Sequence, residues 1–193
     1  MGALRTLRSV VRLRRPERDR TLRRLREAAA VADLRRMAKK RLPGGVFDYI
    51  DGGAEDEITL GRNVDAYRRL EFRPRVLRGV AEADPSTTLL GRPVAFPYVT
   101  APIGFARIAD PDGELAVVRA AGRAGVPFTL STMGTRSIEE CAAVAGDGAR
   151  LWFQVYVWHD RDHIRSLVGR AAACGYEAIV LTVDTAVLGR RER

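Results

Sequence analysis

The sequence is most restrictive in what it has little of. It holds two cysteines, two histidines and no aromatic residue in positions 1–42. No apolar run approaches the roughly 20 residues that a membrane-spanning helix needs, and no signal-peptide core is present. Cys141 and Cys174 stand alone in Ala-rich, helix-like stretches. They read as buried free thiols rather than a disulfide or metal pair, which fits a reducing compartment and a cytoplasmic address. His159 and His163 are spaced i,i+4 but lie among Asp160, Arg161 and Asp162 with no third ligand. That pattern predicts a helix start capped by Asp160 and no metal site. Asp110-Pro111-Asp112-Gly113 lacks the spacing of a calcium loop and reads as a turn.

Charge is unevenly placed. Residues 1–42 contain fifteen Lys/Arg against four Asp/Glu, while the remaining residues carry eighteen against twenty. The formal net charge of +9 therefore belongs to the N-terminal segment. Residues 1–30 are expected to form a basic, disordered arm, distinct from a domain over 31–193. Three readings of the arm stand open: a solvated tail attracted to anionic lipid or nucleic acid, an Arg-rich transit peptide, or weak amphipathic helices through Leu4, Leu7, Val11, Leu22 and Leu25. A nucleic-acid module would want aromatics among the basic residues, so no nucleic-acid partner is expected. Peripheral contact with the inner membrane face remains compatible with the arm.

Beyond the arm, periodicity predicts helices over 31–40, 46–50 and 55–67, the last with Ile58, Leu60 and Val64 inward, then an extended stretch over 72–77. From Val94 the rhythm changes. Strand-like runs at 94–100, 126–131, 151–157 and 178–183 alternate with helix-like runs at 114–124, 138–145 and 160–174. Repeats of that length imply parallel βα units. No Gly-x-Gly-x-x-Gly follows the first strand, which disfavours a doubly wound sheet. The expected fold is α/β: a helical segment followed by the first four βα units of a (β/α)8 TIM barrel. Gln154 and Tyr156, and likewise Thr182 and Asp184, share a strand face and put polar groups at the C-terminal strand ends, where such barrels build their sites.

Six stretches carry a family likeness in one order: Leu42-Pro43 with Val46-Phe47-Asp48-Tyr49 and Gly53-Ala54-Glu55-Asp56; Phe72-Arg73-Pro74-Arg75; Ala101-Pro102; Thr129-Leu130-Ser131-Thr132; Trp152-Phe153-Gln154-Val155-Tyr156; and Leu181-Thr182-Val183-Asp184. From about Val31 to Glu192 the sequence resembles the FMN-dependent L-2-hydroxy-acid dehydrogenases and oxidases. The resemblance implies oxidation of an L-2-hydroxy acid, L-lactate foremost, to the 2-keto acid on FMN. It implies that Tyr49 and Arg191 bind the substrate carboxylate, with Tyr156 near the substrate oxygens. Gln154, Thr182 and Ser131 would contact the flavin, with the backbone of Ala101, Pro102 and Ile103 along its face. Asp184 would orient a catalytic histidine.

Two positions depart from the family pattern: Ile103 stands where Thr or Ser is usual, and Ala186 where Pro is common. The histidine base, a second substrate arginine, a lysine near the flavin and the phosphate site have no counterpart in these 193 residues. The expectation is an N-terminal half that is inactive alone and completed by a C-terminal half if the enzyme is split. The alternatives are a non-catalytic half-barrel that self-associates and, last, a basic nucleic-acid module. Taken singly, Tyr49 could be a packing aromatic, and Arg191 stands equally well as a solvated tail charge. Buried amides and carboxylates need partners, so Gln154 and Asp184 favour a ligand or a network.

Overall fold

A computed structural model describes residues 18–185 and 187–193. Residues 1–17 of the expected arm, with Leu4, Leu7 and Val11, and position Ala186 lie outside the described residues. The chain divides into two units, Met1–Ile50 and Asp51–Arg193.

In the first unit α1 spans Arg20–Glu27, α2 Val31–Arg41 and α3 Gly44–Asp51, its last residue opening the second unit. The part of the arm expected to be disordered thus holds a helix. Its cause is local: the Asp19 side chain accepts from the Thr21 and Leu22 N–H groups and satisfies donors of the first turn. In α2 the contact runs the other way: Asp33, within the first turn, reaches back to accept from the Ala29 and Ala30 N–H groups that lead into the helix, at 2.9 Å each. Phe47 is buried, and the Lys39 ammonium lies 5.8 Å from its ring centre.

The second unit begins with α4, Ile58–Arg68. Its start is later than periodicity suggests, because Glu55 and Glu57 take left-handed backbone angles (φ 48° and 56°) that a helix cannot contain. Ile58, Leu60 and Val64 are exposed rather than inward, since the core forms elsewhere among the sheet and its helices. Residues 72–77 carry no strand, and Leu77 is also left-handed (φ 56°). Next comes a hairpin that periodicity does not predict, β1 Thr87–Leu89 paired antiparallel with β2 Arg92–Val94. Its two-residue turn, Leu90-Gly91, has positive φ at both positions (49° and 73°), the twist-matched geometry for a tight hairpin.

The expected strand over 94–100 is reduced to two attachments. Ala95 N–H bonds Gly125 O at 3.0 Å, and Thr100 makes a single parallel bridge to Phe128. Pro97 has no N–H, and the Tyr98 N–H turns back to Phe96 O at 2.7 Å, so no ladder can run through. The ordered sheet is therefore three parallel strands in the order β3 Phe128–Leu130, β4 Leu151–Val155, β5 Ala178–Leu181. Leu130 pairs with Phe153, and Phe153 with Ile179.

Helix α5, Glu114–Ala124, leads into β3, and two helices return the chain between the strands: α6 Ile138–Val144 from β3 to β4 and α7 Arg161–Ala173 from β4 to β5. Gly125 ends α5 in a left-handed cap, a reciprocal Ser137–Glu140 box opens α6, and Asp160 caps α7 as expected. Val118, Ala121, Ile138, Cys141 and Ala171 from the helices close over Phe128, Leu130, Leu151, Phe153 and Val155. Tyr176 joins them, its ring edge-on to Phe153 and its hydroxyl donating to Ile138 O at 3.0 Å. The opposite sheet face carries Thr129, Trp152 and Gln154. At the N-terminal end of the strands Arg150 bonds Leu89 O (2.8 Å), Arg92 O (3.1 Å) and Glu177 (2.5 Å), which fastens the hairpin to the sheet.

Candidate active site at the strand ends

Gln154 is the centre of the site. It is 1% exposed on β4, where an unpaired amide would cost several kcal/mol on the scale of about 2–7 for transfer from water. All its polar atoms have partners. Oε1 accepts from Ser131 Oγ at 3.1 Å and from the Thr132 N–H at 3.0 Å; Nε2 donates to Thr182 Oγ1 at 2.7 Å. These contacts fix which way the amide points. They also join the C-terminal ends of three successive parallel strands, since Ser131 follows β3 and Thr182 follows β5. The Thr182 N–H extends the ladder to Val155 O at 3.1 Å.

Thr132 ties this amide to Tyr156. Its hydroxyl donates to Gln154 O at 2.5 Å and accepts from the Tyr156 N–H at 3.3 Å. Residue-type reasoning assigns Thr132 no role; the signal available was a second hydroxyl directly after Ser131. The loop with Ala101, Pro102 and Ile103 lies alongside. Thr100 Oγ1 accepts from the Thr129 N–H (3.2 Å), and Phe105 N–H bonds Met133 O (3.0 Å), so both ends of the loop are held to the β3 side of the site. Ala101, Pro102 and Ile103 are themselves exposed.

The remaining expected residues are spread more widely. Asp184 is exposed two residues beyond Thr182, with no hydrogen bond or ion pair among the described residues; water solvates its carboxylate, so the burial argument that called for a partner holds for Gln154 and not for Asp184. Arg191 is exposed in the terminal segment, and Tyr49 stands on α3 in the first unit. His163 stacks on Trp158 with ring centres 5.6 Å apart, and its backbone N–H donates to the Asp160 side chain at 2.9 Å as part of the α7 cap. Neither histidine belongs to the polar cluster at Gln154.

Glu177 is a charged group that sequence reasoning passes over. Burial opposes its ionisation, yet Trp152 Nε1–H (2.8 Å), Arg150 and Arg92 hold its carboxyl below the usual range. It sits at the opposite end of the strands from Gln154 and serves the hairpin. Burial drives the Cys141 thiol up to about 12, helped by the nearby Glu114 and Glu140 carboxylates, so Cys141 is inert packing. Among the described residues no helix is long and apolar enough to cross a membrane.

Known proteins place this geometry. The FMN-dependent dehydrogenase family matches residues 38–193. The chain is 44% identical over 190 residues to a protein carrying the name L-lactate dehydrogenase in Mycobacterium tuberculosis, covering 98% of this chain and 46% of that one. It is 47% identical over 166 residues to glycolate oxidase 3 of Arabidopsis thaliana, covering 86% of this chain and 45% of the relative. Among solved structures, a mandelate oxidase superposes with a TM-score of 0.80 at 43% identity, over 85% of this chain and 49% of that one. A soluble mutant of the membrane-associated (S)-mandelate dehydrogenase of Pseudomonas putida gives 0.81 at 42%, over 84% and 46%. The chain thus spans about half the length of the relatives it matches.

The donor set fits the family's cofactor. Gln154 Nε2 keeps a second hydrogen after bonding Thr182, and Thr182, accepting from that amide, keeps its hydroxyl hydrogen. Both are donors of the kind that the carbonyl-rich edge of a flavin ring accepts. Matched across most of its length and carrying this set at its strand ends, the chain belongs to the FMN-dependent dehydrogenase family.

Proposed function

We propose that the chain is the N-terminal portion of an FMN-dependent L-2-hydroxy-acid dehydrogenase or oxidase, with L-lactate its leading substrate. The observation that carries this reading is the Gln154 amide, held by Ser131, Thr132 and Thr182 and linked through Thr132 to Tyr156. FMN supplies the two-electron acceptor. Gln154 and Thr182 would bind its polar edge, Ser131 would contact its ring, and Ala101, Pro102 and Ile103 would present backbone to its face. Tyr49 and Arg191 bind the substrate carboxylate, where a planar guanidinium suits bidentate contact. Tyr156 presents its phenol to the substrate oxygens. Asp184 orients an imidazole base and stabilises it once protonated.

Neither histidine of the chain joins the polar cluster, so the 193 residues are inactive alone and gain activity from a complementary C-terminal half. The choice of L-lactate leans on the name of the M. tuberculosis relative. The basic helices of the first unit favour a peripheral contact with anionic membrane, and a homo-oligomer is compatible with the surface.

The test is complementation. Purified chain with excess FMN and L-lactate, without oxygen, should leave the flavin absorbance unbleached. Adding the C-terminal half of the M. tuberculosis relative should restore bleaching by L-lactate. Bleaching by the verified chain alone would show that another residue supplies the base. No bleaching by L-lactate, glycolate or mandelate after complementation would favour a non-catalytic half-barrel.

A further inference from the structure

The segment that carries Arg191 has no regular structure of its own, yet it is tied down on both sides of that residue. One position before it, Arg190 O accepts from the Glu55 N–H at 2.7 Å. Two positions after it, the Arg193 guanidinium reaches Glu57 Oε1 through Nη2 at 2.7 Å and Nε at 2.8 Å. Arg193 Nη1 also lies 3.6 Å from Asp51, whose side chain is only 9% exposed. At Gly189 the backbone comes so near that an added Cβ would meet Ala54 Cβ at 3.1 Å.

The receiving corner is built for the purpose at some cost. Glu55 and Glu57 both hold left-handed backbone angles, which non-glycine residues adopt rarely, and such strain persists only where surroundings enforce it. Glu57 closes the corner on itself by accepting the Gly53 N–H on the same Oε1 at 3.0 Å. That N–H first, and then Arg193, keeps the Glu57 carboxyl below the usual range, so the contact is formed at neutral pH. An exposed ion pair adds little stability; what this one supplies is the path of the chain.

We infer that Glu57 is a positioning residue for substrate, holding the 190–193 segment so that Arg191 presents its guanidinium to the substrate carboxylate. The inference rests on the reading of Arg191 as a carboxylate ligand. Glu57 itself touches neither substrate nor flavin in this account; it acts through Arg193 and the corner backbone.

The experiment is a double-substitution cycle in the complemented, FMN-loaded enzyme, paired with hydrogen exchange on the chain alone. Glu57→Gln and Arg193→Gln should each raise KM for L-lactate about three- to fivefold, leave kcat within about twofold, and leave FMN affinity unchanged. The double variant should be no worse than either single one, because both remove the same contact. In the chain alone, the Glu55 amide should exchange faster in both variants. Additive effects, a fall in kcat matching the rise in KM, or an unchanged Glu55 exchange rate would overturn the inference. Arg191→Lys separates the two layers. If it leaves KM unchanged, the carboxylate reading fails; if it raises KM while Glu57→Gln does not, only the positioning role fails.

Discussion

Replacing Gln154 with leucine tests the strand-end network where it is most concentrated. The side chains are similar in size, so the substitution leaves packing nearly intact and removes three hydrogen bonds: from Ser131 Oγ, from the Thr132 N–H and to Thr182 Oγ1. The three abandoned groups differ in what they can do next. The Ser131 hydroxyl already accepts the Met133 N–H and can rotate, and half-buried Thr182 can reach water. The Thr132 N–H is a fixed backbone donor, and leaving such a group unpaired costs about 1–3 kcal/mol. Burying an aliphatic group in place of an amide offsets part of that cost. The expected net loss is about 2 kcal/mol, a fall in Tm of about 4–8 °C for a domain of this size. Urea titration followed by circular dichroism measures it. An unchanged midpoint at unchanged slope would mean that the Gln154 bonds do not form in the protein.

Three further outcomes follow from the same contacts. A thiol reagent should label Cys174 in the folded chain and spare Cys141 until denaturant is added, because Cys141 is fully buried with its thiol pushed up to about 12; mass spectrometry of the labelled peptides reads this. Glu177 has a lowered folded-state pKa, so its contribution is present above the ordinary glutamate range and fades as pH falls through the folded value. Glu177→Gln should therefore destabilise at pH 7 and make less difference in acid, and equal loss at both would count against the ion pair. In the complemented enzyme Asp184→Asn should lower kcat for L-lactate with FMN still bound, the base having lost its counter-charge; intact turnover would remove Asp184 from the site.

Elements whose signals are local were legible in the sequence. Gly125 marks the end of α5, Asp160 the start of α7, and the apolar runs around Phe128, Phe153 and Val180 the strands. That Gln154 needs a partner was legible too, since a buried amide at a strand end demands one; that Ser131, Thr132 and Thr182 supply it was not, because they come from other strand ends. What escaped depends on distant or backbone chemistry. The β1–β2 hairpin rests on positive φ at Leu90 as well as Gly91, which residue types do not announce. Arg150, Glu177 and Arg92 meet across 85 residues of sequence, and Arg193 meets Glu57 across 136. Ile58, Leu60 and Val64 show the reverse error: Leu60 and Val64, four apart, share a helix face while Ile58 lies across the helix from Leu60, so the three never formed one inward stripe, and all are exposed.

The most direct test is FMN binding to the chain itself, read by quenching of flavin fluorescence. In the proposed site Gln154 and Thr182 would meet the ring edge and Ser131 the ring, and no phosphate-binding group is assigned within these residues. The account therefore predicts that FMN and riboflavin bind alike and that Gln154→Leu weakens both together. A preference for FMN over riboflavin, or quenching untouched by Gln154→Leu, would place the flavin away from these three strand ends and contradict the site.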